Sequence, residues 1–232
     1  MKLIKHYDFT NMTTLHPDFT VEVGDKWANN EQQAYRNHPD NLYFDNGLII
    51  QATLENKKIY SARLKTKNQF HFQYGKIDII ASLPKGKGTW PALWMMPENN
   101  TYGHWPKSGE IDIMEHVGNR LDELVLCLHT ESYNHTKDTE YYFKTKVKGL
   151  SDGFQKFSLL WTEETITYYL NDQEMVSYHK GEDNKSSKHD GWPFDQPFYL
   201  IMNLAIGGWF GGDIDLNMFP QKFIIKDIKV YQ

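Results

Sequence analysis

The sequence predicts an all-β protein built as a two-sheet antiparallel sandwich. Short runs rich in β-branched and aromatic residues recur along the chain between turn signals. No long segment shows the 3.6-residue apolar period of an amphipathic helix, and no composition shift marks a domain linker. A chain of 232 residues can bury a sizeable core, so we expect a single domain over residues 1–232.

Seven predicted strands supply most of the regular structure; in chain order they are residues 47–54, 75–81, 124–129, 157–161, 165–170, 198–202 and 223–231. Residues 162–164 and the Asn171-Asp172 pair separate successive strands and have the composition of hairpin turns. Regular strands at this spacing favour a sandwich over a barrel enzyme in which strands alternate with helices.

Charge and hydropathy exclude several classes of partner. The chain carries 30 acidic and 25 basic residues, a net charge of −5, so we expect neither nucleic acid nor a membrane as a partner. No apolar run reaches membrane-spanning length, and the N-terminus lacks the apolar segment of a signal peptide. As written, the chain is expected in the cytoplasm. Secretion is the alternative if Met1 replaces a removed signal.

Cysteine and aromatic content add two constraints. Cys127 is the only cysteine, so no intrachain disulfide can form, and a lone thiol in an apolar strand usually serves packing. Aromatic residues make up 15% of the chain, with seven Trp and 14 Tyr. Such a density is typical of proteins in which strands dominate or in which flat side chains stack on sugar rings.

Three carboxylates, those of Glu110, Asp112 and Glu115, lie within six residues that also carry apolar side chains. In a regular strand, alternate side chains share a face, so Glu115 would point away from the other two acids. One extra residue, a β-bulge at Ile113-Met114, would return Glu115 to their face, whereas a helix would separate positions 110 and 115 by about 140°. The bulged strand is therefore the conformation in which all three acids converge.

Converging carboxylates repel one another, which spreads their pKa values apart. Glycoside hydrolysis needs this condition, because one carboxylate attacks while the other carboxyl group protonates the leaving group. A solvated acidic strand edge and a calcium site are the alternative interpretations of a short acidic cluster. The bulge-dependent convergence and the nearby tryptophans favour the catalytic one.

Four tryptophans are candidates for binding sugar rings. Trp90 and Trp94 lie four residues apart on one strand face with the small Ala92 between them, a shallow trough flanked by indoles. Filling the sandwich core is the alternative, but Pro91 predicts an interrupted or edge strand here. Trp105 and Trp209 lie in turn-rich segments, where an aromatic side chain is more often presented than buried.

Seven segments together resemble glycoside hydrolase family 16, and its laminarinase branch most closely. They occur in the family's order, span nearly the whole chain, and are residues 27–31 (WANNE), 60–64 (YSARL), 88–92 (GTWPA), 109–115 (GEIDIME), 192–195 (WPFD), 203–208 (NLAIGG) and 226–231 (KDIKVY). The resemblance implies a β-jelly-roll sandwich with a concave cleft for a β-glucan polysaccharide or oligosaccharide. It also implies retaining hydrolysis of internal β-1,3 bonds, or of mixed β-1,3/1,4 bonds, without a catalytic cofactor.

The resemblance also implies individual roles. By motif position, Glu110 is the nucleophile, Glu115 the general acid/base, and Asp112 the residue that orients Glu110. Arg63, Asn29, Asn203 and His129 match cleft positions that contact sugar. Each has a structural alternative: a surface ion pair for Arg63, turn caps for the two asparagines, and a satisfied buried side chain for His129. Family members often carry a structural Ca²⁺; Gly47 and Asp227 match positions of its site, and Asp8 lies in the corresponding first strand.

Two rival functions use the same fold. One is a non-catalytic glucan-recognition protein, which could dispense with the carboxylates that this chain retains. The other is a family 16 enzyme for another polymer, such as a galactan, or a xyloglucan transglycosylase. We expect the protein to act as a monomer.

Overall fold

The computed structural model describes residues 1–232 as two β-sheets that face each other, with strands numbered β1 to β18 in chain order. The outer sheet contains β1 (Leu3–Asp8), β3 (Gln33–Tyr35), β4 (Leu42–Phe44), β5 (Leu48–Glu55), β6 (Lys58–Ser61), β9 (Gly75–Ser82), β14 (Phe154–Trp161), β15 (Thr165–Leu170), β16 (Gln173–His179) and β18 (Gln221–Tyr231). The cleft sheet contains β2 (Thr20–Val21), β7 (Arg63–Lys65), β8 (His71–Phe72), β10 (Thr89–Pro97), β11 (Glu110–Glu115), β12 (Glu123–His129), β13 (Tyr141–Lys146) and β17 (Phe198–Ile206).

Helical structure is confined to single turns. These are the 3₁₀ turns Ala28–Asn30 and Glu182–Asn184 and the α-helical turn α1 (Gly208–Gly211). No helix of the fold has the length and apolar character needed to cross a bilayer. The all-β jelly-roll prediction is confirmed.

The sheets enclose one cluster of 42 buried apolar residues. In β9, Ile77, Ile79 and Ala81 are fully buried, while Asp78 and Ile80 between them are partly exposed. This two-residue period is the one that the sequence shows, and it sends alternate side chains of each strand into the core. Each fully buried aliphatic side chain contributes about 1.5–3 kcal/mol of hydrophobic stabilisation.

All seven predicted strands are present, with bounds that differ by a few residues. The largest difference is in β17, which continues to Ile206 rather than ending at residue 202. The predicted hairpin at Asn171-Asp172 is confirmed: both residues have positive φ, 50° and 68°, as a type I′ turn requires. All strand pairings are antiparallel except a three-residue parallel pairing of β3 with β6.

The edge-strand prediction from Pro91 is wrong, because β10 lies in the sheet interior between β11 and β17. A proline is tolerated at position 91 because the neighbouring strand β11 ends beside it. The Pro91 carbonyl accepts a hydrogen bond from His116 N–H, just past the end of β11. The Pro91 nitrogen faces the same side of β10. Because β11 has ended there, no strand residue needs a backbone N–H from position 91. Leu204, opposite Pro91 on β17, directs its own N–H to Ala62 instead.

Candidate active site

The predicted bulge lies at Ile113-Met114. Asp112 pairs with Cys127 of β12, and Glu115 pairs with Val125. The step on β12 is two residues whereas the step on β11 is three, so one extra residue is accommodated in between. The register against β10 shifts at the same place. Glu115 is thereby returned to the face that carries Glu110 and Asp112, and all three acids line one cleft.

Two tryptophan N–H groups hold the carboxyl groups of Glu110 and Glu115 in place. Trp90 Nε1 donates to Glu115 Oε1 at 2.9 Å, and Trp105 Nε1 donates to Glu110 Oε2 at 2.6 Å. Asp112 lies between them in sequence and is only 3% exposed. The carboxyl groups of Glu110 and Glu115 therefore have fixed orientations, while Asp112 is buried in the sheet.

Burial raises the pKa of all three carboxyl groups. It raises the pKa of Glu110 to about 8, with the charge of Asp112 as the next cause, and the pKa of Glu115 to about 7. The pKa of Asp112 is raised well above its usual range by burial and by the charge of Glu115. The cluster therefore cannot carry three negative charges near neutral pH, and it retains protons that acid catalysis can use.

His129 and Cys127 border the acids on the neighbouring strand. His129 pairs with Glu110, and its Nε2 lies 3.2 Å from Asp112 Oδ2 and 3.4 Å from Cys127 Sγ. Cys127 is buried, as its apolar strand predicts, but it is not part of the core cluster. Its side chain lines the cleft instead.

The predicted indole trough is confirmed. Trp90, Ala92 and Trp94 share one face of β10, and all three line the cleft. Both indoles are partly exposed, so filling the core is not their role. Trp94 Nε1 donates to Asn203 Oδ1 at 2.7 Å, which fixes the plane of its ring.

Arg63 forms the ion pair considered for it and also lines the cleft. It forms an ion pair with Glu22 at 2.5 Å, and its guanidinium also lies between the rings of Trp27 and Trp94, 4.9 and 4.8 Å from their centres. Cation–π contacts with both indoles hold the guanidinium in the cleft wall. Arg63 therefore supports the platform that Trp94 presents.

The two asparagines line the cleft from different elements. Asn203 is buried on β17 and donates to the Tyr35 hydroxyl at 3.0 Å while accepting from Trp94. Asn29 has a left-handed backbone, φ 60°, and lines the cleft from the 3₁₀ turn. Gly208 lies against that turn, since a Cβ at position 208 would come within 2.6 Å of the Asn29 carbonyl.

The other two candidate tryptophans are presented to solvent. Trp209 is 72% exposed on α1 and lines the end of the cleft next to Phe210. Trp105 is 36% exposed and borders the acids. The placement of both agrees with the turn-rich sequence around them.

Several cleft residues escaped the sequence-based list: Glu31, His135, Glu140, Tyr142 and Phe210. The ring of His135 lies 5.2 Å from that of Trp105 and 5.0 Å from that of His129. Tyr142 could have been found from strand alternation, because it lies opposite Cys127 on β13. His135 lies in a connecting loop, where no periodicity exists to point at it.

The three residues predicted for calcium meet on the outer sheet. Asp8 and Asp227 pair across β1 and β18, and Gly47 packs beside the carbonyl of Ile225. These residues offer oxygen atoms as metal ligands, and oxygen is the ligand type that calcium prefers. However, the Asp227 carboxylate already contacts His6 Nε2 at 2.6 Å and Lys229 Nζ at 3.3 Å.

Sequence comparison identifies the family. The family described as "Glycosyl hydrolases family 16" matches residues 29–221. The chain belongs to glycoside hydrolase family 16. This family 16 chain is 38% identical over 222 residues to a β-glucanase of Rhodothermus marinus, an alignment that covers 90% of this chain and 77% of the relative. The resemblance recognised in the sequence is confirmed.

Solved structures of family 16 glucanases superpose closely on the chain. The laminarinase from Rhodothermus marinus has a TM-score of 0.94 at 35% identity, covering 100% of this chain and 97% of the other. SCLam is described as a non-specific endo-β-1,3(4)-glucanase, and a mutant of it, co-crystallised with 1,3-β-D-cellotriosyl-glucose, presents 1,3-β-D-cellobiosyl-glucose at the active site. That mutant structure has a TM-score of 0.91 at 32% identity, covering 100% of this chain and 94% of the other.

Proposed function

We propose that this chain is a retaining endo-glucanase that cleaves internal β-1,3 bonds of laminarin-type glucans and also accepts mixed β-1,3/1,4 linkages. The observation that carries the proposal is the position of the three acids within the cleft. Two adjoining cavities of about 340 and 540 Å³ both include Glu110, Asp112 and Glu115 in their walls. The acids therefore lie where the two cavities meet, with room for sugar units on both sides of the bond to be cleaved.

In the first step, Glu110 attacks the anomeric carbon while Glu115 gives its proton to the departing glycosidic oxygen. The carbon–oxygen bond to the leaving chain breaks as the bond to the Glu110 carboxylate forms. In this mechanism Asp112 is protonated when Glu110 attacks, because burial and the charge of Glu115 raise the pKa of Asp112 well above its usual range. With Asp112 neutral, its charge no longer raises the pKa of Glu110. The Trp105 N–H then stabilises the attacking carboxylate.

In the second step, the roles of Glu115 reverse. Glu110 has become a neutral ester, so its charge no longer raises the pKa of Glu115. Glu115, now ionised, takes a proton from water, and the resulting nucleophile displaces Glu110 from the anomeric carbon. The Trp90 N–H stabilises the ionised form of Glu115 during this step. Both steps thus use the same pair of glutamates.

The walls on either side of the acids suit a neutral β-glucan. Trp94 and Arg63 line one cavity, Trp209 and Tyr142 line the other, and Asn29 lines both. Flat aromatic faces stack on the apolar faces of sugar rings, and the polar groups can bond hydroxyls. A β-glucan offers both kinds of surface along its whole length.

A polysaccharide panel tests the proposal. Laminarin, mixed-linkage β-glucan, xyloglucan and a galactan are each incubated with the parent protein and with Glu110→Gln, and reducing ends and product lengths are measured. We expect oligosaccharides of several lengths from laminarin at early times, slower release from mixed-linkage glucan, and none from Glu110→Gln. Preference for the galactan or xyloglucan would refute the substrate assignment. Equal release by Glu110→Gln would refute the site.

We further propose that the outer-sheet patch of Asp8, Gly47 and Asp227 binds a structural Ca²⁺, with the Asp227 carboxylate as its charged ligand. Because that carboxylate contacts His6 and Lys229, calcium has to displace both. The melting temperature should therefore rise with added CaCl₂, and Asp227→Asn should abolish the rise. An equal rise in Asp227→Asn would place the stabilising ion elsewhere.

A further inference from the structure

Three different ligand atoms meet in the floor of the cleft. Cys127 and His129 are two residues apart on β12, so their side chains share a face, and Asp112 lies directly opposite Cys127 on β11. All three residues are buried, and their Sγ, ring nitrogen and carboxylate oxygen atoms lie within 4.8 Å of one another. The strand register thus brings sulfur, nitrogen and oxygen donors together.

The separations match the demands of a four-coordinate metal ion. Zinc bonds of about 2.0–2.3 Å in tetrahedral geometry place neighbouring ligand atoms about 3.3–3.6 Å apart. In the structure, His129 Nε2 lies 3.2 Å from Asp112 Oδ2 and 3.4 Å from Cys127 Sγ. The third separation, from Cys127 Sγ to an Asp112 carboxylate oxygen, is at most 4.8 Å, so a side-chain adjustment would bring all three atoms into ligand positions.

The state of Asp112 also favours a ligand here. Its Oδ2 atom is buried and makes no hydrogen bond of good geometry, although His129 Nε2 lies 3.2 Å away and buried carboxylate oxygens are normally paired. The proposed reaction uses Asp112 only to support Glu110, and it gives no role to Cys127. These three residues also line the larger of the two cavities, so an ion bound to them would be reached from the cleft.

The type of donor selects the class of metal. A thiolate with an imidazole suits a borderline or soft ion such as Zn²⁺ or Co²⁺, whereas Ca²⁺ and Mg²⁺ prefer oxygen alone. The thiol must lose its proton on binding, and the positive ion compensates for that cost. Glu110, Glu115, Glu140 and His135 also face this cavity, and the carboxylates among them make it favourable to cations.

We propose that Asp112, Cys127 and His129 form a binding site for Zn²⁺ or a similar transition-metal ion, and that occupation of this site inhibits the enzyme. The inhibitory part rests on the proposed function. A bound ion withdraws Asp112 from Glu110 and brings two positive charges close to both glutamates. The ion also occupies the cavity that Glu110 and Glu115 line, where the glucan has to lie.

Metal binding is tested without substrate, using Co²⁺ as a spectroscopic substitute for zinc. We expect the parent protein to show a near-ultraviolet thiolate-to-cobalt absorption band that Zn²⁺ titrates away. Cys127→Ser and Cys127→Ala should both lose the band and bind Zn²⁺ more than about tenfold more weakly. The matched control is His38→Gln, which removes a surface histidine next to Asp40 and should leave the Zn²⁺ affinity unchanged. Circular dichroism establishes that each variant is folded.

The result that overturns the proposal is a Co²⁺ complex without the thiolate band, or equal Zn²⁺ affinity in the parent and both Cys127 variants.

Inhibition is measured separately on laminarin, as the ratio of rates with and without Zn²⁺ for each variant. EDTA is then added to test whether the inhibition is reversed. The inhibitory concentration should match the Zn²⁺ Kd and rise by the same factor in Cys127→Ser. A parent protein that binds Co²⁺ through the thiolate but cleaves no polysaccharide would refute the proposed function and leave the metal site standing.

Discussion

Trp90→Phe should raise the pKa of Glu115 and extend activity to higher pH. Burial raises the pKa of Glu115 to about 7, and the Trp90 N–H, 2.9 Å from Glu115 Oε1, opposes that rise by stabilising the carboxylate. A hydrogen bond to a charged group is worth about 1.5–3 kcal/mol, and one pKa unit corresponds to about 1.4 kcal/mol. Because Trp90 is partly exposed, we take the lower end and expect an upward shift of about one pKa unit.

The sign of the effect on rate follows from the role of Glu115. A general acid must be protonated, so kcat/KM falls as pH rises through its pKa. The parent should therefore lose activity above about pH 7, and the basic limb of the Trp90→Phe profile should move up by about one pH unit. Phenylalanine keeps an aromatic ring against Phe210, which packs edge-on to Trp90 at 5.4 Å.

Trp94→Phe is the matched control. Its indole N–H donates to Asn203 rather than to an acid, so its basic limb should stay at the parent position even if KM rises. The assay is kcat/KM on a soluble laminari-oligosaccharide across the pH range in which each variant is stable. If the basic limb of the pH profile stays fixed in Trp90→Phe, or moves equally in Trp90→Phe and Trp94→Phe, the assignment of Glu115 as the acid is refuted.

Other substitutions in the cleft separate catalysis from binding. Glu110→Gln should abolish turnover but keep oligosaccharide binding, measured by calorimetry, because the cleft walls are unchanged; a rate above a few per cent of the parent would decide against the nucleophile role. Glu115→Ala should lose about 10²–10⁴-fold of kcat/KM on laminarin but much less on aryl glycosides with good leaving groups, and equal losses on both would contradict an acid role. Trp209→Ala should weaken binding by about 1–3 kcal/mol while changing stability by less than about 0.5 kcal/mol, since Trp209 is 72% exposed; a large drop in melting temperature would show a packing role instead.

The parts of the fold that depend on local periodicity were predictable. Strand β9 alternates buried and partly exposed side chains, and the Asn171-Asp172 turn has the composition that its left-handed backbone needs. The bulge was also predictable, because only an extra residue brings Glu110, Asp112 and Glu115 to one face. These features are set by residues close together in sequence.

Features set by the tertiary arrangement were not predictable in this way. Pro91 suggested an edge strand, but β11 ends beside it, so no backbone N–H is needed at position 91. Cys127 suggested packing, yet the register of β12 against β11 places its sulfur beside Asp112. His135 reaches the cleft from a connecting loop, whose path depends on contacts that no short sequence pattern reveals.

The stereochemistry of the first product tests the central claim most directly. If Glu110 attacks the anomeric carbon and water then displaces it, two inversions leave the β configuration unchanged. Proton NMR of laminari-oligosaccharide hydrolysis in its first minutes should show the β anomer first, with the α anomer appearing only through mutarotation. Methanol added during turnover should give a β-methyl glycoside, because the glycosyl-enzyme accepts small nucleophiles. Initial formation of the α anomer would contradict double displacement and the roles of Glu110 and Glu115 together.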